Sequence, residues 1–140
     1  MKAVLDHVGI GVERLDEALA FYRDALGLDV SPVHDVAGEH VRTVFVPVGE
    51  SSLELLEAAG PGSAIAKFVA RHGPGLHHIT LAVDDLTAAL DELRSRGVRL
   101  IDEVPRSGAH GSRVAFVHPS ATGGVLLELK ERAPGLGTSR

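Results

Sequence analysis

Apolar and polar positions alternate with a period of two over residues 5–12, "LDHVGIGV": Val8, Ile10 and Val12 take one face, and His7, Gly9 and Gly11 the other. This predicts a strand. The spacing then becomes helical, with Leu15, Leu19, Tyr22 and Leu26 on one stripe, and predicts a helix over 15–26 closed by Gly27. An extended segment near 29–34, a strand over 41–48, the turn "GESS" and a strand over 53–57 follow. The same succession then returns: a strand over 76–83, a helix over 86–96 stopped by Gly97, an extended segment over 99–103, and strands over 113–118 and 124–130. His7 and His78 are 71 residues apart, and so are Phe45 and Phe116, so the two copies run in register.

Between the copies, "GPGSAIAKFVARHGPG" predicts a short helix over 63–71 with Gly-Pro breakers on both sides. The expected organisation is one α+β domain over residues 1–132, made of two tandem βαβββ modules (about 4–58 and 75–132) joined by a linker helix segment at 59–74, with a frayed tail at 133–140. A β-α-β succession also suits a doubly wound parallel sheet. The short connections between the late strands of each module favour antiparallel neighbours instead.

Composition narrows the function. A chain of 140 residues, 44% hydrophobic and 24% charged, suits one globular domain with its own core. A net charge of −5 argues against nucleic acid as a partner. Without cysteine, disulfides and thiolate chemistry are excluded. No apolar run approaches the roughly 20 residues that span a bilayer, so no membrane partner is expected. The opening "MKAVLDHVG" lacks an apolar segment followed by a cleavage site, and a cytoplasmic location is the expectation.

The repeat changes the picture most at the histidines. His7 lies beside Gly9 and Gly11, and His78 beside Thr80 and Ala82, on the strand faces opposite the branched apolar side chains. Such a face, with small neighbours, suits a cavity wall. Glu54 in "SSLELLE" and Glu128 in "GGVLLELKE" each interrupt an apolar strand, where a carboxylate is costly to bury unless paired or metal-bound. A pseudo-twofold arrangement would bring His7, Glu54, His78 and Glu128 to one point. Two imidazoles and two carboxylates suit Co²⁺, Mn²⁺, Ni²⁺, Zn²⁺ or Fe²⁺, with positions left for water or substrate. A single histidine at a strand start is more often packing than ligand, and duplication alone would repeat it; the matched glutamates tip the balance to metal. His77 is expected on the other face. His34, His40 and His72 are expected to be solvated, and His110 and His118 either border the site or sit in plain turns.

At these residues the chain resembles the vicinal oxygen chelate superfamily, and within it the methylmalonyl-CoA epimerase family. The phrases "LDHVGIGV" and "AFYRDALGL" are widespread in the superfamily; the segment running into "GPGLHHI", together with "HPSATGGVLLEL", is more particular to the epimerases. The resemblance spans about residues 4–132. It implies a curved mixed sheet around a metal site, metal ligands at His7, Glu54, His78 and Glu128, and a divalent ion with Co²⁺ first and Mn²⁺, Ni²⁺ or Zn²⁺ as alternatives. The implied reaction interconverts the (2R) and (2S) forms of methylmalonyl-CoA or a related acyl-CoA through a metal-stabilised enolate, with two acid/base groups flanking the α-carbon. It also implies a homodimer.

Here the chain departs from the pattern of many bacterial members, which place a glutamate on the strand after the first extended segment. The nearest equivalent is Thr43, whose hydroxyl cannot act as a base near neutral pH. Glu39 or His40 could reach in from the "AGEH" loop, and Glu128 could serve as ligand and base together. Lys67, Arg71, Arg106 and Arg113 are candidate contacts for coenzyme A phosphates, and the "SGAHG" loop is a candidate flap. A glyoxalase I-type lyase with a similar ligand quartet and a non-catalytic small-molecule-binding member are the rival functions. A dioxygenase is disfavoured because its triad leaves no place for a second carboxylate.

Overall fold

The computed structural model describes residues 1–132; the expected tail at 133–140 lies outside the described residues. The strands among the described residues are β1 Ala3–Val12, β2 His34–Val36, β3 Val41–Val48, β4 Ser51–Ala58, β5 Gly75–Val83, β6 Arg106–Ser107, β7 Arg113–Val117 and β8 Leu127–Glu131. The ladders run β2-β3-β4-β1 in the first half of the chain and β5-β8-β7-β6 in the second. The late strands pair antiparallel, β3 with β4 and β7 with β8. The first strand of each module lies parallel to the last, β1 with β4 and β5 with β8.

The chain gathers into two compact units. One is His7–His77; the other combines Met1–Asp6 with the chain from His78 onward. The break therefore falls immediately before each of the paired histidines, inside β1 and β5, rather than in the linker that separates the sequence modules.

In the first unit, α1 (Leu15–Leu19) packs Leu15 and Leu19 onto Val44, Val46 and Leu55. The helix predicted over 15–26 is α-helical only for that first stretch and continues as a wider π-helical turn over Ala20–Ala25, with Leu26 N–H donating to the Phe21 carbonyl at 2.9 Å. The extra residue per turn rotates the stripe. Leu26 is thereby 53% exposed, and Leu28 packs on the core in its place. The extended segment near 29–34 forms a ladder only from His34 onward; Pro32, which has no N–H to donate, lies in the unpaired stretch. On the opposite sheet face, α2 (Ala64–His72) sets Ile65 against Val41 and Leu56. Ser63 caps it by accepting from Ala66 N–H at 2.9 Å.

In the second unit, α3 (Leu86–Ser95) packs Leu86 and Leu90 on Val83, Ala115, Val117 and Leu129. Asp85 caps it through Ala88 N–H at 3.0 Å. The extended segment over 99–103 contributes one isolated bridge, Leu100 to Val117, and the edge strand comes later, as β6. The strand expected over 124–130 starts at Leu127, after Gly123 and Gly124 take left-handed φ of 78° and 104°.

One device appears in both units. Glu57, from β4, accepts from Leu15 N–H at 2.9 Å and pairs with Arg42 at 2.7 Å. Glu131, from β8, accepts from Leu86 N–H at 3.0 Å and pairs with Arg113 at 2.9 Å. In each case a strand carboxylate satisfies an otherwise orphaned N–H at a helix start and suits the positive end of its dipole.

Candidate metal centre

Strand alternation separates the faces as the pattern requires. In the first unit the registers Gly9↔Glu54 and Phe45↔Glu54 put Glu54 on the His7 face, away from the α1 core. In the second, Thr80↔Glu128 and Phe116↔Glu128 put Glu128 on the His78 face, away from the α3 core. Each unit thus carries a histidine, a carboxylate and a phenylalanine on one face.

The first set is tight. His7 Nε2 lies 3.2 Å from Glu54 Oε1, and the His7 ring stands edge-on to Phe45 with centroids 5.8 Å apart. In the second set, His78 Nε2 lies 3.8 Å from Glu128 Oε1 and stands edge-on to Phe116 at 6.2 Å. Glu128 Oε1 also accepts a 2.6 Å hydrogen bond from the Thr80 hydroxyl. His7, Glu54 and His78 are only 7–8% exposed.

The first unit thus carries the buried His7–Glu54 pair, and the second the buried His78 beside Glu128. Imidazole and carboxylate donors are chemically suited to a divalent ion of the borderline class. Glu128, the fourth expected ligand, is half-buried and adjoins His78 and Thr80.

The candidate acid/base residues are spread out. Thr43 is 2% exposed on β3, two positions from Phe45 and so on the same face as Glu54. Glu39 is exposed in the short turn Ala37–Glu39 that leads into β3, and His40 beside it is exposed in a left-handed conformation. His34 departs from its expected solvated state. It is half-buried on β2 and directly opposite Thr43, which puts it on the Glu54 face. Nothing in local patterning marks it, because its strand is three residues long.

The other histidines have structural surroundings. His77, expected on the far face, stands edge-on to Phe68 at 4.9 Å, and His72, although exposed, packs on the same ring at 5.2 Å. His118 accepts from Ser120 N–H at 3.0 Å and caps the turn Pro119–Ala121. His110 is exposed in a turn with φ 58°. Among the candidate cations, Arg113 is committed to Glu131 and to the Thr87 hydroxyl beside α3. Arg106 instead lies over the Phe116 ring at 5.2 Å, pairs with Asp102 at 3.3 Å, and so belongs to the His78 face.

The model of the glyoxalase/bleomycin resistance protein/dioxygenase superfamily matches residues 6–116. A mitochondrial methylmalonyl-CoA epimerase of Dictyostelium discoideum is 44% identical over 131 residues, 91% of this chain and 78% of that protein. The chain belongs to this superfamily and to its methylmalonyl-CoA epimerase family. An ethylmalonyl-CoA/methylmalonyl-CoA epimerase of Cereibacter sphaeroides is 39% identical over 91% of this chain and 96% of its own. Among solved structures, a point variant of Streptomyces coelicolor methylmalonyl-CoA epimerase in complex with 2-nitronate-propionyl-CoA is similar with a TM-score of 0.86 at 36% identity, covering 94% of this chain and 95% of that one. No helix among the described residues is long and apolar enough to cross a membrane.

Proposed function

We propose that this protein epimerises methylmalonyl-CoA or a closely related acyl-CoA at C2, in a site built on His7, Glu54, His78 and Glu128. The observation that carries the reading is the buried His7–Glu54 pair, matched by a buried His78 beside Glu128, in a chain of the epimerase family. Residues 1–132 are proposed to act as one functional domain.

The α-carbon of such a substrate lies between a thioester and a carboxylate, and removing its proton develops negative charge on the thioester oxygen. A divalent ion held by these four residues, Co²⁺ first among the candidates, would supply Lewis-acid stabilisation of that charge. The chain's own groups do the rest. Phe45 and Phe116, edge-on to the two imidazoles, restrict the ring orientations. Inversion needs a proton removed on one face of the carbon and returned on the other.

Glu128 is proposed as one acid/base group, in addition to its ligand role. The Thr43 hydroxyl is proposed to orient the substrate rather than carry a proton. For the second acid/base group there are two candidates. Glu39 would have to fold inward from its exposed turn, whereas His34 already stands opposite Thr43 on the Glu54 face. Arg106, held over Phe116, is proposed to meet an anionic group of the substrate. A homodimer in the cytoplasm completes the proposal, testable by light scattering and by fractionation.

The test is deuterium uptake at C2 of methylmalonyl-CoA in D₂O, with Co²⁺-loaded and chelator-treated protein. Metal-dependent uptake with loss of stereochemical purity is the expected result. No uptake by the loaded protein would overturn the epimerase reading, and turnover of a glutathione hemithioacetal would then favour the lyase.

A further inference from the structure

The two units place the same residue types in the same registers, with one difference beside each glutamate. Opposite Glu54 on β1 is Gly9; opposite Glu128 on β5 is Thr80. Thr80 is fully buried, and its hydroxyl donates to Glu128 Oε1 at 2.6 Å, a short bond to an ionisable acceptor. That oxygen is also the one that faces His78 Nε2, at 3.8 Å. At Gly9 there is no side chain to do the same for Glu54, whose Oε1 sits 3.2 Å from His7 Nε2.

We infer that Thr80 is a positioning residue: its hydroxyl fixes the orientation in which Glu128 is presented to a metal. This rests on the proposed ligand role of Glu128. The physical reason is that a carboxylate on a strand rotates freely about its terminal bonds unless one oxygen is anchored, and that rotational freedom has to be given up when a metal binds. In the first unit the His7–Glu54 contact already confines the carboxylate. In the second, His78 stands further off and the Thr80 hydroxyl anchors one carboxylate oxygen. Partners that hold a metal ligand in place in this way are worth roughly 10–100-fold in affinity.

The test is calorimetric titration of metal-stripped protein with Co²⁺ for wild type, Thr80→Val, Thr80→Ser, Glu128→Ala and the Thr80→Val/Glu128→Ala pair, with thermal melts of each stripped form. Thr80→Val should weaken Co²⁺ binding about tenfold. Thr80→Ser, which restores the hydroxyl, should return it to within about threefold of wild type. In the Glu128→Ala background, Thr80→Val should have no further effect on affinity, because the group it orients is gone. A Thr80→Val protein that melts lower but binds Co²⁺ like wild type, beside a weakened Glu128→Ala, overturns the positioning role alone. A Glu128→Ala protein with undiminished affinity overturns the ligand role of Glu128 and this inference with it.

Discussion

The His7–Glu54 pair and the His78–Glu128 pair descend from the same pattern of residues, yet they are held by different means. In the first unit the carboxylate lies close to its histidine and the sheet face beyond it is covered by α2, with Phe68 packed over Gly11. In the second the carboxylate stands further from its histidine, is anchored by Thr80, and has Arg106 over the neighbouring phenylalanine. The first carboxylate is held close against its histidine, and the second by a threonine hydroxyl. A repeated strand pattern sets which residues share a face, while single differences beside it decide how each one is held.

The strongest way to break the comparison is at the histidines. His7→Ala and His78→Ala should each abolish stable metal retention, by more than the roughly 10–100-fold that a mere outer partner costs. Metal analysis after dialysis checks this, and equal losses in the two variants are the expected outcome. A loss in only one would show that the half-sites contribute unequally.

The cores supply the next test. Leu55 and Leu129 are almost completely buried at equivalent places, one under α1 and the other under α3. Leu55→Ala and Leu129→Ala should each cost about 2–5 kcal/mol by denaturant unfolding, because each leaves a cavity that its neighbours only partly fill. A much smaller cost at Leu129 would mean that the second core is the looser of the two.

A smaller effect is expected from the helix-start carboxylates. Glu57→Ala and Glu131→Ala each remove an acceptor for a helix N–H and the partner of an arginine. Each should lower stability by about 1–2 kcal/mol. Chemical denaturation midpoints should fall by similar amounts in the two variants, with metal affinity little changed.

The smallest change is Gly11→Ala, which installs in the first unit the alanine already present at the corresponding position, Ala82, in the second. A Cβ there would come 3.2 Å from the Phe68 ring, so the ring must yield slightly. Against that strain stands the reduced freedom of the unfolded chain, worth about 0.4–1 kcal/mol. The net shift should lie within about 1 kcal/mol, and a larger loss would mark the α2 contact as rigid.

Much of this was legible along the chain because it is local. Alternation over residues 5–12 assigns His7 and Val8 to opposite faces whatever the strand pairs with, and the 71-residue repeat carries the assignment to His78. The isolated carboxylates at 54 and 128 were legible for the same reason. The π-helical turn at Ala20–Ala25 was not, since Leu26 fits a helical stripe on spacing alone and only packing against the sheet shows that Leu28 takes its place. Nor was the position of His34, because a three-residue strand has too few side chains to show a period.

The sequence by itself determined the two modules, the face on which each candidate ligand lies and the donor chemistry available, because those follow from backbone periodicity and side-chain type. Only the tertiary structure decided that β1 lies parallel to β4 and β5 to β8. Those registers, between residues dozens of positions apart, put Gly9 opposite Glu54 and Thr80 opposite Glu128, and so set what stands beside each carboxylate. Long-range pairing of this kind depends on how two distant segments pack together, and no local pattern encodes it.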